Sequence, residues 1–217
     1  MIGSKLPGQL LCCRLIPNLS PSLAQALGLR DAYRAIGLVS ADSDDLMYLA
    51  LDEATKSANV EVVYARSLYA GAANATTALA GEVIGVLAGP TPEEVASGLD
   101  RAQRFLESGV GFRSAAPDNR VVYLAHCVSR TGSYLARVAQ VPVGQALAYL
   151  VAPPVEALVG LDAALKASDV DLMQYFAPPT ETNFSGGLLT GTQSACQAAC
   201  DAFAAAVTEL AAHPKEG

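Results

Sequence analysis

Two like α+β domains of about 105 residues each are what this sequence predicts. Three observations carry that prediction. The chain has 217 residues, room for one generous domain or two small ones. It also repeats itself: residues 51–62, LDEATKSANVEV, line up with residues 161–172, LDAALKASDVDL, at an offset of 110. Residues 35–40 pair with 147–152 at an offset of 112, and 86–89 with 188–191 at 102, so the copies differ mainly in their loops. Finally, both copies read by hydrophobic periodicity as strand, short helix, strand, helix, strand, loop, strand, helix.

The elements follow in order. Apolar runs at 10–16 and 121–128 predict the first strand of each copy, and a Pro- or Gly-containing turn leads to short helical pieces at 23–29 and 134–138. Second strands are expected at 36–40 and 148–152. Residues 46–58 and 155–167 carry apolar side chains at i, i+3 and i+4 spacing, the mark of an amphipathic helix. Third strands fall at 60–64 and 170–175. A loop rich in Gly, Ala, Pro and Thr, 67–81 or 177–186, then precedes a fourth strand at 83–88 or 187–190. The last helix of the first copy opens with Thr91 as N-cap, Pro92 at N1 and Glu93 and Glu94 in its first turn, and runs to Glu107. Its partner spans 194–210. The seam lies in Glu107-Ser108-Gly109-Val110-Gly111, giving domains 1–109 and 110–217.

Composition excludes several classes. Hydrophobic residues make up 52% and charged residues 16% of the chain, against about 25% charged in an average domain, which rules out disorder. With 14 Lys and Arg against 21 Asp and Glu, the net charge of −7 leaves no cationic surplus for nucleic acid or anionic membranes. No apolar run has the length of a bilayer span, so the chain reads as soluble. Leu11-Cys12-Cys13 faintly resembles a lipoprotein signal, but Pro7 and Gln9 interrupt the apolar stretch such a signal needs. Five cysteines, an odd number with no CxxC pair, are neither a disulfide framework nor a zinc knuckle and fit a reducing cytoplasm. The apolar excess has one ready explanation in burial between subunits.

Catalytic readings fail one by one. His126-Cys127 through Ser133 has the outline of a cysteine-phosphatase loop, but the Arg that would bind phosphate is missing at Ser133, and the nearby Arg130 is too early. His126 and Cys127 instead fall on alternate faces of an apolar strand. Cys196 and Cys200, four apart on a helix, have no His or acid to complete a metal set and read as core thiols. Phosphate loops, GxSxG and HExxH are absent, and His126 and His213 are the only histidines. No catalysis, cofactor or metal is expected. The acidic group Asp42, Asp44 and Asp45, between a strand end and a helix start, leaves two readings open: helix capping and dipole pairing, or a site for a small cation.

The order of small helix, a segment such as Lys166-Ala167-Ser168-Asp169-Val170, strand, loop, strand ending in Gly and Ala-rich helix resembles the bacterial microcompartment shell domain. Starting each copy with a strand that would otherwise close the domain resembles its circularly permuted form. Residues 36–45, 62–73, 129–135, 149–154 and 189–196 together resemble the ethanolamine-utilisation shell proteins of this family, over nearly the whole chain. That resemblance implies tandem permuted shell domains, each a small antiparallel sheet with helices. It implies a homotrimeric, pseudohexameric tile that packs with neighbouring shell proteins in hexagonal sheets around a cytoplasmic microcompartment. It further implies ethanolamine as ligand of small pores, at positions that correspond here to Asp44, Asp45, Glu82 and Phe112, and a central pore gated by loops carrying Tyr69, Ala70, Gly71, Asn183 and Phe184.

The residues add their own weight to these assignments. Glu82 has no acidic counterpart in the second copy, and Phe112 follows a flexible Gly109-Val110-Gly111 link where an aromatic serves either contact or core. Tyr69 and Phe184 are aromatics among small polar neighbours, placed either to approach a threefold axis in a closed pore or to anchor their own loops. The alternative from a different class is a soluble small-molecule-binding or sensing protein that uses the same tandem fold without forming sheets.

Overall fold

A computed structural model describes residues 1–67, 83–178, 180, 182 and 184–215. Contacts divide the chain into two compact units. The N-unit is Pro7–Val110 with Gly132–Leu135, and the C-unit is Met1–Leu6 with Gly111–Thr131 and Ala136–Gly217. Each unit thus takes in a short piece from the far side of the sequence seam.

The chain begins with β1 (Lys5–Pro7), β2 (Leu10–Ile16), α1 (Pro21–Ala26), β3 (Ala35–Ala41), α2 (Asp44–Ser57), β4 (Glu61–Ser67), β5 (Val83–Gly89) and α3 (Pro92–Glu107). It continues with β6 (Gly111–Ser114), β7 (Val122–Val128), α4 (Ser133–Ala139), β8 (Ala146–Ala152), α5 (Pro154–Ala167), β9 (Val170–Phe176), β10 (Ser185–Gly191) and α6 (Gln193–Ala212). The fold class is α+β, with antiparallel sheets packed by helices.

In the N-unit four strands pair antiparallel in the order β2-β3-β5-β4. The C-unit repeats that order as β7-β8-β10-β9 and extends it past β7 with β6 and β1. Duplication reaches fine detail. The third strand of each copy carries a one-residue register shift, at Val63 between Val62 and Tyr64, and at Met173 opposite the Leu188/Leu189 step. A bulge leaves its extra residue unpaired and bends the strand, so both copies turn their third strand at the same place.

The outermost strands of the C-unit sheet, β1 and β6, were not expected. They have only three and four residues, too few to show a period of two, and they are held by backbone bonds from Gly3 N–H to Ser114 O and from Ser114 N–H to Ser4 O. The first short helix also differs: expected at 23–29, it occupies Pro21–Ala26 because Pro21 sits in its first turn after Ser20. Thr91 caps α3 as expected, its hydroxyl accepting from Glu94 N–H at 3.3 Å.

Helices α2 and α3 pack on the N-unit sheet, burying Leu46, Met47, Leu49, Leu51, Val95 and Leu99. In the C-unit, α5 and α6 meet across Phe203, whose fully buried ring lies edge-on to Tyr123 at 6.5 Å between centroids. Gly160 on α5 makes that contact: a Cβ there would stand 2.6 Å from Phe203 Cδ2 and 3.1 Å from Val207 Cγ2. Forcing a methyl into a filled core costs about 1–3 kcal/mol. Gly160→Ala is expected to lower the unfolding temperature by several degrees, and Gly160→Ala with Phe203→Leu to recover part of that loss, both read by thermal denaturation.

Candidate functional site

The acidic turn is built at the start of α2. Ser43, not an aspartate, is the N-cap; its hydroxyl oxygen accepts from Leu46 N–H at 3.5 Å. Asp44 and Asp45 follow in the first turn, both buried, where carboxylates face the positive end of the helix. Asp44 Oδ1 accepts from Asp45 N–H at 2.9 Å. Asp42 stands outside the helix and accepts from Gln9 N–H at 2.6 Å, tying the end of β3 to the chain entering β2. That bond borders a cleft of about 570 Å³ lined by Pro7, Gly8, Gln9, Leu10, Asp42, Gln103, Leu106 and Glu107. Gln103 Nε2 donates to Glu107 Oε1 at 2.8 Å, so the cleft presents two carboxylates and an ordered amide, groups that accept hydrogen bonds from an ammonium or hydroxyl. Gln103 and Glu107 carried no signal in the sequence beyond the last turns of an amphipathic helix.

Phe112 lies in β6, buried, and Phe184 is half-buried with its ring on Phe112, centroids 5.2 Å apart and tilted by 35°. The contact holds the chain entering β10 beside β6. Thr180 Oγ1 donates to the Phe184 carbonyl at 2.8 Å, which further orders that approach. Asp44 and Asp45 belong to the N-unit and Phe112 and Phe184 to the C-unit. Glu82, Tyr69, Ala70, Gly71 and Asn183 lie outside the described residues.

A second polar centre had no sequence signal at all. Asp52, on α2, is 1% exposed. Its Oδ2 accepts from Gly132 N–H and its Oδ1 from Leu135 N–H, each at 2.8 Å, and Lys56 Nζ lies 3.4 Å from Oδ2. Thr55 Oγ1 accepts from Ser133 N–H at 3.0 Å, and Tyr48 meets the ring of Tyr134 at 6.1 Å. Four consecutive residues, 132–135, are thereby fastened to α2. The approach requires glycine at 132, because a Cβ there would overlap Thr55 Oγ1 and the Asp52 carbonyl. Burial pushes the Asp52 carboxyl above the usual carboxylate range, with the Gly132 and Leu135 N–H groups and Lys56 acting against that shift.

Thiol chemistry is disfavoured by direction. Burial pushes Cys127, Cys196 and Cys200 above the ordinary thiol value, Cys200 most strongly, whereas a nucleophilic cysteine needs the opposite shift. Cys127, half-buried against the C-unit core, donates from Sγ to the Gln193 carbonyl at 3.7 Å. Among the described residues, no three His, Cys, Asp or Glu side chains gather as a metal set, and no helix is long and apolar enough to cross a membrane.

The BMC domain model matches residues 35–112. The bacterial microcompartment shell protein EutL of Clostridium perfringens (strain 13 / Type A) is 61% identical over 204 residues, covering 94% of each chain. The chain belongs to the EutL family of microcompartment shell proteins. The crystal structure of the ethanolamine utilization protein EutL from Leptotrichia buccalis C-1013-b matches the whole of this chain at 56% identity, with a TM-score of 0.97 and 100% of both chains covered. EtuB from Clostridium kluyveri, 23% identical with a TM-score of 0.79 over 91% of this chain and 86% of that one, shares the fold. EutL proteins are structural components of the shell of a cytoplasmic compartment, not enzymes.

For this EutL-family chain the Asp52 centre generates a prediction. Asp52→Ala leaves the buried N–H groups of Gly132 and Leu135 without acceptors, worth about 1–3 kcal/mol each, so the unfolding temperature should fall by several degrees. The raised folded-state value means that the native protein holds the Asp52 proton more tightly than the unfolded chain does. The contribution of Asp52 therefore grows as pH falls through that raised value toward the ordinary carboxylate range. Thermal denaturation should show the deficit of Asp52→Ala widening as pH is lowered from neutral toward the ordinary carboxylate range.

Proposed function

We propose that this protein forms a homotrimeric, pseudohexameric tile of the ethanolamine-utilisation microcompartment shell, with domains 1–109 and 110–217 as its two permuted shell domains. The observation that carries this reading is the strand order β2-β3-β5-β4, repeated as β7-β8-β10-β9 in a single chain. Three such chains in cyclic symmetry present six like lobes, the lattice unit of a hexagonal sheet. Relatives at 51–61% identity are named shell proteins, and the Leptotrichia homologue is named for ethanolamine utilization.

Small pores lined by Asp44, Asp45, Glu82 and Phe112 bind or pass ethanolamine in this reading. Ethanolamine is cationic at neutral pH, and a narrow passage admits a cation by replacing its water with carboxylates and other acceptors. Two buried aspartates in one helical turn supply negative potential in support, and a net charge of −7 disfavours anions in the same passages. The loops carrying Tyr69, Ala70, Gly71, Asn183 and Phe184 gate the central pore. For Phe184 to move with such a gate, its ring must leave Phe112.

Two measurements test the reading. Light scattering should give a trimer, and negative-stain images should show hexagonal sheets; isolated particles would favour the soluble binding or sensing alternative. Asp45→Asn and Glu82→Gln should each weaken ethanolamine binding about tenfold in calorimetry, the loss of one charge-assisted hydrogen bond. Unchanged affinity in both variants would remove the pore-site assignment.

A further inference from the structure

The two copies differ most where one is covered and the other is not. Helices α2 and α5 have 14 residues each and correspond at an offset of 110 from end to end, Asp44 to Pro154 and Ser57 to Ala167. Asp52 thus corresponds to Asp162 and Lys56 to Lys166, and the carboxylate–ammonium pair occurs in both, at 3.4 and 2.6 Å. Their surroundings are opposite. Asp52 is buried beneath residues 132–135, whereas the Asp162 side chain is 63% exposed in a face of α5 with exposed Val155, Leu158, Val159 and Leu165.

The cover has its own counterpart. Strands β2 and β7, and the starts of α1 and α4, correspond at an offset of 112, which pairs Gly132 with Ser20, Ser133 with Pro21, Tyr134 with Ser22 and Leu135 with Leu23. The flanking backbone bonds repeat at the same offset: Leu29 N–H to Ala24 O in one copy, Val141 N–H to Ala136 O in the other. Leu135 is 1% exposed, but Leu23 is 45% exposed, and α1 buries no residue. One copy therefore has an acceptor face and its cover in place, while the other has both parts exposed.

We propose that the exposed face of α5 is covered by residues 20–23 of a second copy of this chain, with Asp162 accepting from the Ser20 and Leu23 N–H groups as Asp52 accepts from Gly132 and Leu135. The residue changes between copies match across the gap. Thr55, which accepts from Ser133 N–H, is replaced by Leu165, and Ser133 is replaced by Pro21, which has no N–H to offer. The acceptor and the donor are lost together, so the second seam leaves neither group unsatisfied. Leu23 then has Val159 and Leu158 to pack against, as the apolar face of α5 requires. Ser20 brings a Cβ where Gly132 has none, so the seam between chains sits further out than the seam within one, which the freedom of a separate chain allows.

Such a contact joins two different surfaces, and a head-to-tail contact of this kind closes into a ring when its rotation permits. The inference rests on the trimeric reading above and adds the residues that hold the ring together. It is tested on the full-length protein by sedimentation velocity across a dilution series, with amide exchange of a peptide covering residues 18–24. Asp162→Ala should raise the dissociation constant of the trimer about tenfold and Leu23→Glu about a hundredfold. Both should leave the circular dichroism of the dissociated chain unchanged and should speed exchange at Ser20 and Leu23. A wild-type trimer whose dissociation constant and exchange at 20–23 are the same in both variants would overturn this contact and leave the trimer standing. A wild-type protein that stays monomeric at every concentration would overturn the trimeric reading itself, and this contact with it.

Discussion

A buried carboxylate has to be met by donors, and Asp52 is the group on which the N-unit turns. It lies on a helix that otherwise packs apolar side chains against a sheet, and its two oxygens take backbone N–H groups from residues 80 or more positions away in the chain. Leaving those groups unpaired in a low-dielectric interior is expensive. The carboxylate therefore helps fix where residues 132–135 lie, a close approach to α2 at which Thr55 Oγ1 and the Asp52 carbonyl leave room only for glycine at 132 and at which Leu135 is fully covered. Asp52, Thr55 and Tyr48, all on α2, together hold those four residues in the N-unit.

Duplication makes the same position informative twice. Evolutionary copies of one unit keep their sheet order, their third-strand bulge and the Asp–Lys pair on the helix between. They diverge in what they cover. Tyr48 on α2 meets Tyr134, while its counterpart Leu158 is exposed; Leu49 is buried, while its counterpart Val159 is exposed. Exposed apolar side chains spaced three and four apart on a helix are the surface signature of a partner rather than of solvent. The surplus of apolar over charged residues in the composition thus has an address on α5.

Much of this architecture was legible in the sequence because its signals are local or periodic. The repeat is visible as matched letters, α3 announces itself through Thr91 and Pro92, and the longer strands and helices have enough residues to show their period. β1 and β6 lack that length, and their pairing depends on residues more than a hundred positions apart. The candidate site divides in the same way. Asp44 and Asp45 stand out as charges beside a helix start, but nothing local shows that Ser43 rather than an aspartate caps the helix or that Asp42 binds Gln9. Asp52 and Asp162 sit in near-identical strings, LDEATK and LDAALK, and their opposite burial is decided by chain segments elsewhere. The meeting of Phe112 with Phe184 is likewise a product of the C-unit sheet, not of either sequence neighbourhood.

The exchange of short segments across the seam also sets an order of events during synthesis. Residues 1–6 are made before the first repeat, yet the strand they pair with begins at Gly111, so they wait through the emergence of that entire repeat. The N-unit in turn lacks its last piece until Leu135 has emerged, and until then Asp52 is a solvated anion on an incomplete unit. Neither half is a separable module in time. Completion of the N-unit waits on a stretch of the second repeat, and the C-unit takes up a segment made before the first repeat.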